Sequence, residues 1–185
     1  MSGLSNMECY ESRIKRVIIS KEEIAEAIVA AGKRIDEIYD GRPILLVSVL
    51  KGAFVFMADL CRAVSMPCEI GFMCAKSYYQ GTNSTGVVQI TMDLDQDVKD
   101  YHVVIVEDII DTGRTLNDIA KLLRARNPLS LHIVTLLDKP SRRVVDLKAD
   151  YSLFTIPDYF VIGYGLDCAE YYRNLPYIAE YDMGE

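Results

Sequence analysis

The run Ile44-Leu45-Leu46-Val47-Ser48-Val49-Leu50 narrows the choice of fold more than any other stretch. A strand with one wet face alternates apolar and polar residues, whereas seven positions with one hydroxyl and no charge describe a strand covered on both sides. Such strands belong to parallel sheets whose crossover helices pack against each face. The signature returns at Tyr101-His102-Val103-Val104-Ile105-Val106 and again over 131–137, with helical patterns between. Ser20 and Glu23 have capping-box spacing, and Ile24, Ala27, Ile28, Ala31, Ile35 and Ile38 recur on one helical face, which predicts a helix over 20–39. Further helices are predicted over 53–65 and 115–126. This order predicts an α/β protein with a doubly wound, mainly parallel sheet flanked by helices, and places any ligand outside the carboxyl ends of the strands.

Two further strands are expected over 68–76 and 87–92, separated by the polar, breaker-rich stretch 77–86. The last portion holds short strands near 151–154, 160–164 and 177–179 and little helix. It is expected to build a smaller lobe over the sheet edge together with the N-terminal segment. Without a repeat or linker, 1–185 reads as a single domain, with its core over about 38–150 and the lobe from about 1–20 and 151–185.

A chain that is 50% hydrophobic is not a disordered one. Twenty basic against 27 acidic residues, net −7, argue against nucleic acid as a partner, because a sequence-independent nucleic-acid surface needs clustered Lys and Arg. No apolar run approaches the ~20 residues of a membrane span, and the opening MSGLSNMECY lacks the pattern of a signal peptide. A cytoplasmic protein without a membrane partner is expected. Cys9, Cys61, Cys68, Cys74 and Cys168 show no metal-site spacing and read as reduced, mostly buried thiols. With only His102 and His132 present, carboxylates, Lys, Arg and backbone amides must carry the chemistry.

Those groups concentrate in Val103-Val104-Ile105-Val106-Glu107-Asp108-Ile109-Ile110-Asp111-Thr112-Gly113-Arg114-Thr115. An apolar strand ends in two adjacent acids, a short loop adds a third, and Thr-Gly-Arg-Thr opens a helix. The helix start offers free N–H groups and a positive dipole end to a phosphate, Gly113 permits close backbone approach, and Thr112 and Thr115 add hydroxyls. Glu107 and Asp108 suit a sugar diol or a hard cation. A sugar phosphate would satisfy both halves. The plainer reading is a strand ending in solvated acids before a capped helix. GxxxxGK[ST] and GxGxxG are both absent.

The run from Glu107 to Thr115 resembles the phosphoribosyl-pyrophosphate signature of type I phosphoribosyltransferases, and closely that of the purine-salvage branch acting on hypoxanthine and guanine. Four more segments resemble the same family in the expected order. Val49-Leu50-Lys51-Gly52-Ala53 is similar to its pyrophosphate loop, Ser77-Tyr78 to the start of its mobile β-loop, and Leu136-Leu137-Asp138-Lys139-Pro140 to its base-contacting segment. Ile156 to Asp167, with Tyr172-Arg173-Asn174-Leu175, resembles its hood, so the likeness runs over roughly 14–180.

The resemblance implies the type I phosphoribosyltransferase fold with a small hood and a mobile β-loop. It implies an enzyme, a pentosyl transferase that converts hypoxanthine and guanine plus phosphoribosyl pyrophosphate to IMP and GMP plus pyrophosphate, with Mg2+. Asp111 would be the general acid/base at purine N7, although on residue chemistry alone it could simply cap the loop. Glu107, Asp108, Asp111, Thr112, Gly113, Arg114 and Thr115 would bind the phosphoribosyl group. Lys51, Gly52, Ser77, Tyr78 and Arg173 would meet pyrophosphate, with Leu50-Lys51 at a place where relatives can hold a cis peptide. Lys139, Phe160, Val161 and Asp167 would bind the purine, and Glu107, Asp108 and Asp167 would serve the metal. Read without the family, Lys139 is a loop charge and Phe160 a core residue. The family also implies a homodimer or homotetramer. The rival readings are a non-catalytic relative, either a nucleotide-sensing regulator or an RNA- or DNA-binding one with Lys139, Arg142, Arg143 and Lys148 as its basic patch, a receiver-like phosphorylation module, and the same enzyme acting on xanthine or adenine.

Overall fold

The computed structural model describes residues 13–78 and 87–184. Strand β1 (Ile14–Ile19) leads into helix α1 (Lys21–Tyr39) through the cap read from the sequence. The Ser20 side chain accepts from the Glu23 N–H at 3.2 Å, and the Glu23 carboxylate accepts from the Ser20 N–H at 2.8 Å. The helix stops where Asp40 turns left-handed at φ 47°. Ile24, Ile28, Ala31, Ile35 and Tyr39 are buried, while Ile38, placed on the same face by spacing, is exposed.

β2 (Ile44–Leu50), α2 (Phe54–Ala63), β3 (Glu69–Tyr78), β4 (Val87–Met92), β5 (His102–Ile110), α3 (Arg114–Arg124), β6 (Ser130–Asp138) and β7 (Tyr151–Thr155) follow. They build a six-stranded sheet in the order β4-β3-β2-β5-β6-β7, parallel except for antiparallel β4. Alternate residues of the central strands feed opposite layers, as a period-two backbone dictates. Leu46, Val104, Val106, Val134 and Leu136 pack with α1 and α2, whereas Leu45, Val47, Val103, Ile105 and Ile133 pack with α3. This is the doubly wound arrangement of the type I phosphoribosyltransferase fold, and it explains why β2 carries no charge. The hood is a three-stranded antiparallel sheet in the order β1-β9-β8, where β8 is Val161–Ile162 and β9 is Ile178–Tyr181.

Three expectations need correction. β5 does not end at Val106, because Glu107, Ile109 and Ile110 stay in register with Thr135, Leu137 and Asp138, so the paired acids lie inside a strand. Tyr151 to Phe154, expected in the small lobe, form β7 and pair with β6 in the large sheet. Cys61, Cys68, Cys74 and Cys168 are free thiols of intermediate exposure rather than buried ones, and Cys9 lies outside the described residues. Of the expected β-loop, residues 79–86 also lie outside, and Ser77 and Tyr78 are described as strand backbone alone.

Candidate active site

Four segments meet above the carboxyl ends of β2, β5 and β6. Glu107 and Asp108 stand near the carboxyl end of β5, and the loop beyond the strand carries Asp111 and Thr112 to Gly113, the N-cap of α3 at φ 79°. A glycine cap brings no side chain to the helix start, so the positive end of the helix dipole faces the loop without a capping side chain from Gly113. Val144 N–H donates to Thr112 O at 3.1 Å, which fixes the loop against the segment after β6.

β2 ends at a cis Leu50–Lys51 peptide. The following Gly52 packs so tightly on Asp108 that a Cβ there would collide with Oδ2 of the carboxylate. The hood closes over the other side, where a Cβ on Gly165 would run into the Gly52 carbonyl oxygen. Glycine at both positions thus lets loop, strand and hood approach at backbone distance.

At the end of β6, Lys139 is 6% exposed. Its Nζ donates to the Tyr159 carbonyl oxygen and lies 3.8 Å from Asp158 Oδ1. Burial of a lysine is rare unless its charge is met, so the reading as a plain loop charge fails. Phe160, next in the chain, is 41% exposed and not a core residue, although its ring lies 6.2 Å from that of Tyr181. Val161 is buried in β8.

The acids are strained electrostatically. Burial, reinforced by Asp108, pushes the Glu107 carboxyl well above the usual carboxylate range. Burial also raises Asp108, with Asp167 adding to the shift and the Ile109 N–H and Arg173 opposing it. Glu107 Oε2 is buried without a hydrogen-bond partner. Among the described residues no three His, Cys, Asp or Glu side chains are grouped to hold a metal ion alone. Glu107, Asp108 and Asp167 therefore do not form a ready cage, and Asp167 instead meets Arg173 at 2.8 Å. The orphaned oxygen and the raised acids still suit a magnesium ion, which takes one or two carboxylates and completes its shell with water and phosphate oxygens.

Two residues that sequence reasoning had left out enter the site. Arg142 donates from Nε to Asp111 Oδ1 at 3.1 Å and reaches Asp158 at 3.6 Å, while Arg143 pairs with Asp138. Three of the four residues of the basic patch, Lys139, Arg142 and Arg143, thereby meet acids. Glu170 meets Lys51 Nζ at 2.9 Å and Arg173 at 3.3 Å. Neither pairing has a local signature, since Asp111 and Arg142 are 31 residues apart and Lys51 and Glu170 are 119 apart. Arg114 makes no ion pair within 4.0 Å among those described, and its N–H lies 3.5 Å from Thr112 Oγ1. A cavity of about 1000 Å³ lies to one side, between α1, α2 and 170–176 of the hood.

Comparison with known proteins agrees with this geometry. Residues 15–169 match the model of the phosphoribosyl transferase domain. The hypoxanthine-guanine phosphoribosyltransferase of Streptococcus pneumoniae R6 is 49% identical over 168 residues, spanning 91% of this chain and 93% of that one. The hypoxanthine phosphoribosyltransferase of Escherichia coli K12 is 49% identical over 166 residues, spanning 89% and 93%. A crystal structure of a hypoxanthine phosphoribosyltransferase from Staphylococcus aureus superposes with a TM-score of 0.89 at 43% identity, covering 98% of this chain and 96% of that one. The chain belongs to the phosphoribosyl transferase family and groups within it with the hypoxanthine phosphoribosyltransferases.

Proposed function

We propose that the protein transfers the ribose 5-phosphate unit of phosphoribosyl pyrophosphate to N9 of hypoxanthine and guanine, giving IMP and GMP plus pyrophosphate. The observation that carries this reading is the placement, at neighbouring strand ends, of an uncapped helix start behind Asp111 and a buried lysine, Lys139. One suits the 5-phosphate and the other an oxygen on the base.

In this reading the amides and hydroxyls of Thr112, Gly113 and Thr115 hold the 5-phosphate, with Arg114 beside them, and Glu107 and Asp108 accept from the ribose hydroxyls. Glu107, Asp108 and Asp167 would hold magnesium, whose charge offsets that of the departing pyrophosphate. The bond from C1′ to the pyrophosphate oxygen breaks as N9 bonds to C1′. Asp111 takes the proton that leaves N7, and the bonding pair departs with pyrophosphate. Gly52, Lys51, Arg173, Ser77 and Tyr78 receive the pyrophosphate. Phe160 stacks on the purine, with Val161 and Asp167 at its edge. Lys139 donates to O6, and an ammonium offers adenine's exocyclic amine no acceptor. We assign the whole of 1–185 to one catalytic domain, acting in the cytoplasm as a homodimer or homotetramer. Exposed Phe54, Ile70 and Phe72 around an apolar hollow of about 340 Å³ support self-association. No helix among the described residues is long and apolar enough to cross a membrane.

The test is an absorbance assay with phosphoribosyl pyrophosphate and magnesium, offering hypoxanthine, guanine, xanthine and adenine separately. Nucleotide should form from the first two and not from adenine, and Asp111→Asn should lower kcat by about 10²–10⁴-fold. Silence with all four bases, from folded protein that still binds the sugar phosphate, would favour a nucleotide-sensing regulator.

A further inference from the structure

We infer that Glu170 is a built-in counter-anion for the pyrophosphate subsite, holding Lys51 and Arg173 in the empty enzyme and yielding them to the incoming diphosphate. This rests on the reading that Lys51 and Arg173 receive pyrophosphate. A single oxygen, Oε2 of Glu170, lies 2.9 Å from the Lys51 ammonium and 3.3 Å from the Arg173 guanidinium. It stands where one pyrophosphate oxygen would bridge the same two cations.

The backbone is shaped to present it. Ala169, Glu170 and Tyr172 all have positive φ, at 51°, 72° and 75°, a conformation side chains other than glycine seldom adopt. Asp167 Oδ2 accepts the Glu170 N–H at 2.9 Å, and Asp167 Oδ1 takes Arg173 at 2.8 Å. Arg173 also donates to the Gly165 carbonyl oxygen at 2.9 Å, which ties the turn to the glycine that packs on the pyrophosphate loop. The cations thus meet Glu170 across a rigid turn, and hydrogen bonds from Lys51 and Arg173 hold its carboxyl below the usual carboxylate range.

The exchange is easy because Glu170 is on the outside. Its side chain is 64% exposed and that of Lys51 is 67% exposed. Exposed ion pairs are weak, since water solvates the separated partners well. A diphosphate carrying several negative charges outcompetes one carboxylate, and the displaced carboxylate then repels it from close range. Glu170 therefore weakens pyrophosphate binding while screening the repulsion between the two cations before the ligand arrives, which favours release of the product.

The experiment measures binding of inorganic pyrophosphate with magnesium by titration calorimetry, together with the KM for phosphoribosyl pyrophosphate, in the wild type, Glu170→Gln, Glu170→Gly and Lys51→Gln. Glu170→Gly suits the positive φ and guards against a folding defect, which thermal melting checks. Both Glu170 variants should bind pyrophosphate about 3- to 10-fold tighter, with a lower KM and no gain in kcat. Unchanged or weaker binding in both, with Lys51→Gln weakened, would overturn the counter-anion and leave the subsite standing. Unchanged binding in Lys51→Gln would instead overturn the assignment of the subsite itself.

Discussion

The two ends of the central sheet handle polar groups in opposite ways. At the amino end, both histidines are used up in short side-chain contacts. Tyr39 Oη and His132 Nδ1 lie 2.7 Å apart, His102 Nδ1 and Ser130 Oγ lie 2.8 Å apart, and the Tyr39 ring sits 5.4 Å from that of His102. At the carboxyl end the groups are charged and their partners are exchangeable: Asp111 with Arg142, Lys139 with Tyr159 and Asp158, Lys51 with Glu170, and Glu107 with an oxygen left over. One end is finished by the fold, and the other is satisfied only until something better arrives. The contrast follows from geometry, because the carboxyl ends of parallel strands open into loops and a helix start that point dipoles outward.

Lys139→Met tests the contrast most severely. It removes the charge that Tyr159 O now accepts from and that the purine oxygen would take over, so the KM for hypoxanthine should rise about 10- to 100-fold, as for a lost charged hydrogen bond. Steady-state kinetics read this directly, and an unchanged KM would mean that the buried lysine is structural. Tyr39→Phe makes the opposite cut. Removing the hydroxyl leaves His132 without its partner at the closed end, and stability should fall by about 1 kcal/mol in urea titration while kcat/KM holds. A catalytic loss there would join the two ends.

The smallest effect concerns pH. Burial, with help from Arg42 and His132, holds His102 below its ordinary value near 6.5. The unfolded chain then takes up a proton before the folded protein does, so this stability is present above that value and is lost as pH falls towards the folded one. His102→Gln should flatten the acid limb of stability as pH falls below the ordinary histidine value. An acid limb identical to the wild type would place the titration elsewhere.

How much of this was legible in the sequence depended on how far apart the partners were. β2 and β4 were read to the residue, and α1 to its cap, because an apolar run and a Ser-Glu capping pair are complete within a few positions. The run of β5 past Val106 was not, because what holds Glu107 to Ile110 in strand is pairing with β6 some 28 residues on. The same holds for β7, whose five residues look like any short edge until β6 is beside them. Motif likeness named Lys139 but gave no hint of its burial, and Arg142 and Glu170 carried no motif at all. Their partners lie on other elements, and a salt bridge across space leaves no periodicity in the chain.

The stacking of Asp108, Gly52 and Gly165 reaches beyond stability into what a gene can do. From any glycine codon, alanine is one base change away, and it is the mildest of the changes that add a Cβ. At Gly52 that atom meets a carboxylate oxygen, and at Gly165 it meets a carbonyl oxygen. For a lineage drifting by point mutation, the smallest available step is closed at both codons, and each codon guards the other's surroundings.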